Sequence, residues 1–465
     1  MPKITIIGAG SASFGENTLS CLMRSARLRG STLALVDRNP VALEVVRRLA
    51  ERFNREWAAG FTLETHTHHS PALPGSDFVV CAIEVGAREN LWRQDFEIPL
   101  RHGVRQPYAE NGGPGGFAHA ARNIVPILEI AREMERVCPQ AWFINFTNPM
   151  VRVCDAVSRH TSIQVVGLCH QIHIGYCFAG WVLGRDLGFD VPAELRNMNA
   201  EADQWPHQFK LIQQAVERLD IRAAGTNHFT WILSITDRQT GTDLYPQFRE
   251  RYATADPSFE PLTRRVYEAF GLMPVPGDSH LCEYLPWVSH PVTKPWEKFD
   301  LHLYDWDTMA GLRDRHWEHL TGIANGEGSI DYLRNRDSEG ALEMIEHLTF
   351  GGRHYHKAAN RPNQGQIANL PTGAIVETPV VVDRAGIHPV HVGPLPEPIA
   401  ELCRRELTVA QLGVDAAVEG SRERALQCLL LDPVIGDIDL ARLVLDDYLT
   451  AYREYLPQFW PDVAV

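Results

Sequence analysis

Positive charge is in short supply in this chain. Its 465 residues carry 44 Lys and Arg against 58 Asp and Glu, a net charge of −14, with a pI near 5.8. An acidic surface repels phosphate backbones and anionic headgroups, which excludes nucleic acid and an anionic membrane as main partners. Long hydrophobic runs are missing too: no window approaches the roughly 18 uninterrupted apolar residues of a membrane span. The opening MPKITIIGAG has no basic stretch followed by an apolar core and cleavage site, so no secretory leader is expected and the location is expected to be cytoplasmic. The nine cysteines are odd in number and scattered over positions 21 to 428. A chain of this size needs no disulfide framework, so they read as reduced thiols. Internal repeats and low-complexity segments are absent as well. With 45% hydrophobic and 22% charged residues, the composition is that of a soluble globular protein.

What is there is an alternation of apolar runs and helical spacing. Residues 3–8 form a strand that ends in Gly8-Ala9-Gly10-Ser11, and helical spacing follows from Asn17 to Arg27. Further strands are expected at 33–36, 77–83, 141–146 and 164–167, with helices over Val41 to Phe53 and Ala120 to Val137. This order predicts an α/β protein with a Rossmann-like, doubly wound sheet. The expected organisation is residues 1–170 as a dinucleotide-binding domain and 171–465 as a second, mainly helical α+β domain. An inserted helical arm or loop is expected at about 188–222 and a late strand pair within Ile375 to Val382. His66-Thr67-His68-His69 reads as a solvated loop or edge strand rather than a metal tract, since no acid or cysteine lies beside it in sequence.

Gly8 and Gly10 sit at the first strand-to-helix junction, where backbone N–H groups and the helix dipole receive a pyrophosphate. Position 13 is Ser and not the third glycine of the usual fingerprint. The second strand ends on Asp37, 27 residues past Gly10, placed to accept from ribose hydroxyls and to disfavour a 2′-phosphate. Gly8, Gly10, Ser11 and Asp37 are therefore the candidate NAD-binding residues, although Arg38 beside Asp37 weakens the preference over NADP. The competing reading is that the glycines only tighten packing and Asp37 caps the next helix.

Six motifs occur in order: Gly8-Ala9-Gly10-Ser11, Gly113-Pro114-Gly115-Gly116-Phe117, Asn145-Phe146-Thr147-Asn148-Pro149-Met150, Gly167-Leu168-Cys169-His170, Gly225-Thr226-Asn227-His228-Phe229 and His280-Leu281-Cys282-Glu283-Tyr284-Leu285-Pro286. By these the chain resembles glycoside hydrolase family 4, the NAD- and metal-dependent glycosidases, almost end to end. Pro362 to Pro371 is similar to the family as well. The Cys-His pair and Glu-Tyr-Leu-Pro resemble the branch acting on unphosphorylated α-glycosides, chiefly α-galacturonidases and α-galactosidases.

The resemblance implies hydrolysis by oxidation at C3, deprotonation at C2, elimination of the leaving group, addition of water and return of the hydride, outside the usual two-carboxylate scheme. It implies NAD and Mn²⁺, with Cys169 and His228 as the protein ligands of a catalytic ion whose shell the sugar completes. Tyr284 matches the C2 base; a phenol with a pKa near 10 needs a nearby cation for that work. His170 matches the group that protonates the leaving oxygen, or else it binds a sugar hydroxyl. Asn148 is implied to contact substrate hydroxyls, with Glu110 and Asn111, before a turn at Gly113 to Gly116, as its partners. The substrate is expected to be a short oligosaccharide or other α-glycoside, an α-galacturonide or related α-uronide first, with an α-galactoside or α-glucoside as alternative. A homodimer or homotetramer is expected.

Bland readings stand beside these. Cys169 alone is equally a buried inert thiol, and Tyr284 among Leu285, Pro286 and Trp287 is equally core. Cys169, His173 and Cys177 recur every four residues, which admits a rival metal site against simple helix packing. Asp95 reads as structural, and His280 and Glu283 as pocket or helix-face residues. The sequence departs from the family at His119, where a basic residue is common, at Cys282, where Ala is common, and in the length of 188–222. An NAD-dependent hydroxyacid dehydrogenase or a non-catalytic NAD sensor would share the first half but would need neither Cys169 with His228 nor Tyr284.

Overall fold

The computed structural model describes residues 1–11, 15–106, 108–193, 205–290 and 292–460. The first half runs β1 (Lys3–Ile7), α1 (Gly15–Arg24), β2 (Thr32–Val36), α2 (Pro40–Glu56), β3 (Thr62–His66), β4 (Phe78–Cys81), α3 (Arg88–Arg101), α4 (Gly113–Val137), β5 (Trp142–Asn145), α5 (Met150–His160) and β6 (Gln164–Gly167). These six strands are parallel in the order β3-β2-β1-β4-β5-β6, the doubly wound order expected of a Rossmann sheet. Their apolar runs are nearly continuous because both faces are covered. Ile7, Val79, Cys81, Phe143 and Val165 pack on one side; Ile4, Ile6, Val80, Ile144 and Val166 pack on the other.

The second half follows with α6 (Ile172–Leu187), α7 (Trp205–Arg218), β7 (Leu219–Thr226), β8 (Phe229–Asp237), α8 (Tyr245–Thr254), α9 (Pro261–Phe270), α10 (Gly277–Tyr284), α11 (Pro295–Lys298), α12 (Trp306–Ala324), α13 (Ala341–Phe350), β9 (His354–Pro362), β10 (Ile375–Asp383), β11 (Gly386–Pro389), α14 (Glu397–Glu419), α15 (Arg422–Leu431) and α16 (Ile438–Ala451). Its strands do not form a separate sheet. Gly167 of β6 pairs antiparallel with Asn360 of β9, and the order continues β9-β10-β7-β8, with β11 beside β10. One sheet thus spans both halves.

Two local expectations change. Helix α4 begins at Gly113, so Gly113 to Gly116 is its first turn and not a loop before it. Its glycines are there for close approach: a Cβ on Gly116 would lie 2.4 Å from the Asn111 carbonyl oxygen, and one on Gly115 2.5 Å from the Ala109 side chain. Ile375 to Val382 is a single strand, β10, and Pro379, which has no N–H to give, sits where the register with β9 shifts. Of the expected arm at 188–222, residues 194–204 lie outside the described residues, and the remainder includes α7 and the start of β7.

Asp95 is structural. Its fully buried carboxylate takes two 2.6 Å hydrogen bonds from Arg122, whose guanidinium lies 4.3 Å from the Tyr452 ring centroid. Tyr448 donates to the Asp95 carbonyl and Tyr452 to that of Leu91, which ties α16 and the residue after it to α3. Asp95→Ala leaves Arg122 charged and unpaired in the core and is expected to lower the unfolding free energy by about 3–5 kcal/mol. Denaturant titration measures this, and the double change Asp95→Leu with Arg122→Met is expected to cost less.

Among the described residues no helix is long and apolar enough to cross a membrane. All nine cysteines are free; eight are buried, and Cys169 alone is partly exposed.

Candidate active site

A cleft of about 760 Å³ opens at the carboxyl ends of β1 and β4, where the strand order reverses. Gly8, Gly10, Ser11 and Asp37 all line it. Gly8 has φ +82°, and a Cβ there would lie 2.3 Å from the Ala82 carbonyl oxygen, so no other residue fits. The Asp37 carboxylate accepts from the Gly10 N–H and the Asn39 N–H, both at 2.8 Å, which pins it at the end of β2 against the glycine turn. Ser13 lies outside the described residues. Gly15, first in α1, makes a close approach two positions later: a Cβ would lie 2.2 Å from the Ala9 carbonyl oxygen.

His68 and His69 line the same cleft. His69 is not solvated as expected. It is buried, with Nε2 3.0 Å from Glu133 of α4, an acid that the fold and not the local sequence places beside it. His119 also lines the cleft with a buried ring, its Nδ1 2.9 Å from the Glu110 carbonyl oxygen. Burial holds its pKa below the usual imidazole value, so this position supplies no fixed positive charge.

The second part of the site is assembled across the sheet. Cys169 follows β6, and His228 lies on the turn between β7 and β8. Cys169 Sγ is 3.1 Å from His228 Nε2. Burial pushes the Cys169 thiol well up, with Glu339 and Glu377 adding to the effect. Burial also pushes His228 well down, with His280 adding. The pair is therefore a neutral thiol and a neutral imidazole, which a divalent cation would convert to thiolate and imidazole ligands. Buried polar atoms without a hydrogen-bond partner among the described residues gather on the surrounding residues: His228 Nδ1, Asn148 Oδ1, Asn111 Oδ1 and Asn227 Oδ1. A two-residue donor set with unmet polar atoms around it fits an open catalytic ion, and no group of three or more ligating side chains is found among the described residues.

The rival set does not form. Cys177 is fully buried in the core beneath α6, and His173 Nε2 lies 4.0 Å from Asp337. Cys282 is core, its thiol directed at the Ser279 carbonyl oxygen at 2.8 Å.

Glu110, Asn111 and Asn148 form one network. Glu110 Oε1 accepts from Asn148 Nδ2 at 3.0 Å and from Arg88 at 3.4 Å, and its Oε2 accepts from Asn111 Nδ2 at 3.2 Å. Burial opposes ionisation of Glu110, but the Arg88 guanidinium foremost outweighs it and the carboxyl is held at about 2. The His280 ring stacks on His228 with centroids 4.5 Å apart, and its Nδ1 is 2.8 Å from Glu283 Oε1. Glu283 Oε2 accepts from the N–H groups of Glu110, Asn111 and Gly112 at 3.0, 2.7 and 3.0 Å. His280 and Glu283 thus fix the His228 imidazole and the loop before α4 together.

Tyr284, at the end of α10, is buried, and its hydroxyl accepts from the His228 N–H at 3.4 Å. Burial pushes the phenol well above its ordinary range, with Glu283 and Glu406 adding. The His170 side chain is 60% exposed beside Cys169, with Nδ1 3.1 Å from Glu339 Oε1. That carboxylate lifts His170 to about 8, an imidazolium at neutral pH.

The sequence reading missed Arg88, Glu339 and Glu377. Arg88 stands in no motif, and Glu339 and Glu377 act on residues 169 and 150 positions away. Only the tertiary structure reveals them.

Comparison with known proteins gives the family. Residues 3–177 match the family 4 glycosyl hydrolase model and residues 223–435 match the family 4 glycosyl hydrolase C-terminal domain. The chain is 30% identical to the α-glucosidase of Erwinia rhapontici, over 93% of this chain and 94% of that one. It is 29% identical to the α-galactosidase of Bacillus subtilis strain 168, over 99% and 100%, and 28% identical to the α-galacturonidase of that strain, over 93% of each. The crystal structure of a putative glucosidase from Bacillus subtilis superposes with a TM-score of 0.81 at 26% identity, covering 97% of this chain and 100% of that one. The 6-phospho-β-glucosidase of Thermotoga maritima, solved with manganese, NAD⁺ and glucose-6-phosphate, shares the fold with a TM-score of 0.76 at 20% identity, covering 98% and 99%. With both family models matched in order and similarity running the length of the chain, this protein belongs to family 4 of the glycosyl hydrolases.

Proposed function

We propose that this chain hydrolyses α-glycosides with NAD and Mn²⁺ as cofactors, through transient oxidation at C3 and elimination across C1 and C2. The observation that carries the reading is the meeting of Cys169 and His228 at 3.1 Å, with Tyr284 against His228 and Asn148 against Glu110. When bound, the two cofactors supply a reversible hydride acceptor and a positive charge that stabilises negative charge developing on the sugar oxygens. Gly8, Gly10 and Ser11 receive the pyrophosphate, and Asp37 accepts from the adenosine ribose. Cys169 and His228 hold the ion. Asn148 and the ionised Glu110 orient the sugar hydroxyls. Tyr284 accepts the C2 proton, and His170 gives a proton to the departing glycosidic oxygen.

The cations lining the cleft bear on the sugar. Arg88 faces Glu110 and Glu84, and Arg313 pairs with Glu89; all five line the cleft. Arg88 and Arg313 are each already offset by a carboxylate, and Arg38, beside Asp37, lies at the NAD end of the cleft, which favours an uncharged α-galactoside or α-glucoside. An α-galacturonide is the second reading, supported by the similarity to an α-galacturonidase. The test is release of phenol from aryl α-galactosides, α-glucosides, α-galacturonides and α-glucuronides. Phenol release that needs both Mn²⁺ and NAD, without net NADH, is expected. Steady NADH formation from a free hydroxyacid would instead mark a dehydrogenase.

Asp37→Ala is expected to raise the NAD dissociation constant tenfold or more, since charge-assisted hydrogen bonds contribute about 1.5–3 kcal/mol each. Calorimetric titration measures it, and an unchanged value would remove Asp37 from the ribose site.

A further inference from the structure

We propose that Glu377 is the positioning residue that sets the spacing of Cys169 and His228, by holding the Asn227 side chain beside His228 and, through Asn360, the Gly167 carbonyl before Cys169. This rests on the ligand pair proposed above.

The topology makes such a residue necessary. β6 and β7 are separated in the sheet by β9 and β10, which at about 4.8 Å per strand puts them roughly 14 Å apart. Yet Cys169 Sγ, two residues past β6, lies 3.1 Å from His228 Nε2, two residues past β7. Both segments must lean across the ends of β9 and β10 to meet. The strands are tied in one row: Gly167 pairs with Asn360, Asn360 with Glu377, and Glu377 with Gly225.

Glu377 stands in the middle of that row, and its side chain reaches toward both ligand segments. Its Oε2 accepts from Asn227 Nδ2 at 2.7 Å, on the residue before His228. The same oxygen accepts from Asn360 Nδ2 at 2.9 Å, and that amide lies 3.4 Å from the carbonyl oxygen of Gly167, two residues before Cys169. One carboxylate oxygen therefore links the 227–228 turn to the 167–169 segment. Glu377 is only 2% exposed, and no Lys or Arg among the described residues pairs with it. A buried carboxylate without a cationic partner is costly, so its presence needs a reason beyond stability, and holding the ligands in register supplies one. Gly167 leaves room for the arrangement: a Cβ there would lie 3.0 Å from Asn360 Cβ and closer still to the sulfurs of Met150 and Cys154.

The test measures Mn²⁺ binding to the metal-free full-length protein, by the electron paramagnetic resonance signal of free Mn²⁺, alongside NAD binding by calorimetry. Glu377→Ala removes the shared acceptor and is expected to raise the Mn²⁺ dissociation constant about 10–100-fold, the usual effect of losing a group that orients metal ligands. NAD binding is expected to stay within twofold of wild type. Glu377→Gln keeps an acceptor oxygen for both amides and is expected to recover most of the affinity. Should Glu377→Ala fail to fold, Asn360→Ala cuts the link on the Cys169 side and is expected to weaken Mn²⁺ binding at least threefold with NAD binding unchanged. Mn²⁺ affinity within twofold of wild type in the folded variant, or NAD affinity falling in step with it, overturns the proposal. Cys169→Ser, measured in parallel, separates the two levels: if it binds Mn²⁺ as tightly as wild type, the ligand pair itself is wrong and the role of Glu377 falls with it.

Discussion

Cys169→Ser and His228→Ala are each expected to abolish Mn²⁺ binding at micromolar ion and to lower kcat/KM by roughly a thousandfold, while NAD still binds. The magnitude follows from the several kcal/mol of charge stabilisation that a bound ion provides, since about 4 kcal/mol in the barrier is a factor near a thousand in rate. The two side chains have little other reason to meet. Burial alone would leave a thiol and an imidazole as ordinary core groups, but here His228 Nδ1 has no hydrogen-bond partner among the described residues and His228 is clamped by the ring of His280. Chelation of the wild-type protein is expected to reproduce the loss and added Mn²⁺ to reverse it. In the Ser and Ala variants, added ion is expected to restore nothing. Retained activity in chelated wild-type protein would remove the metal from the reaction.

Tyr284→Phe is expected to lower kcat about a hundredfold to ten-thousandfold, the range for loss of a positioned general base, with Mn²⁺ and NAD affinity unchanged. Phe keeps the ring and its packing against Phe229, and among the described residues the hydrogen bond lost is the long one from the His228 N–H. The distinguishing measurement is exchange of the C2 proton with deuterated solvent, which is expected to disappear in Tyr284→Phe. Full exchange in that variant would remove Tyr284 as the base. Because burial raises the phenol pKa in the metal-free protein, the exchange is also expected to vanish in chelated wild-type enzyme.

Much of this was legible in the linear sequence because it is local. The apolar runs at 33–36, 141–146 and 164–167 and the glycine turn at 8–10 depend on neighbours in the chain, and they appear in the fold within a residue or two. Asp37 could be placed from the end of its own strand. The helix start at Gly113 was not legible, since what makes those glycines helical is the room that Gly115 and Gly116 leave for Asn111 and Ala109. His69 was misjudged for the same reason: its partner Glu133 comes from a helix 64 positions on. Glu283 carried two equal readings until its carboxylate was seen to gather three N–H groups some 170 residues away.

The sequence by itself determined the doubly wound first half and singled out the residues proposed for the chemistry, because strand, turn and motif are written in short stretches of chain. Only the tertiary structure decided how those residues are held. It extended one sheet through β9 and β10 to β7, brought Cys169 to His228, set Arg88 on Glu110 and placed Glu377 between the 167–169 and 227–228 segments. Such contacts arise from strand order and close packing, which join residues far apart in sequence and leave no period or spacing in it to be read.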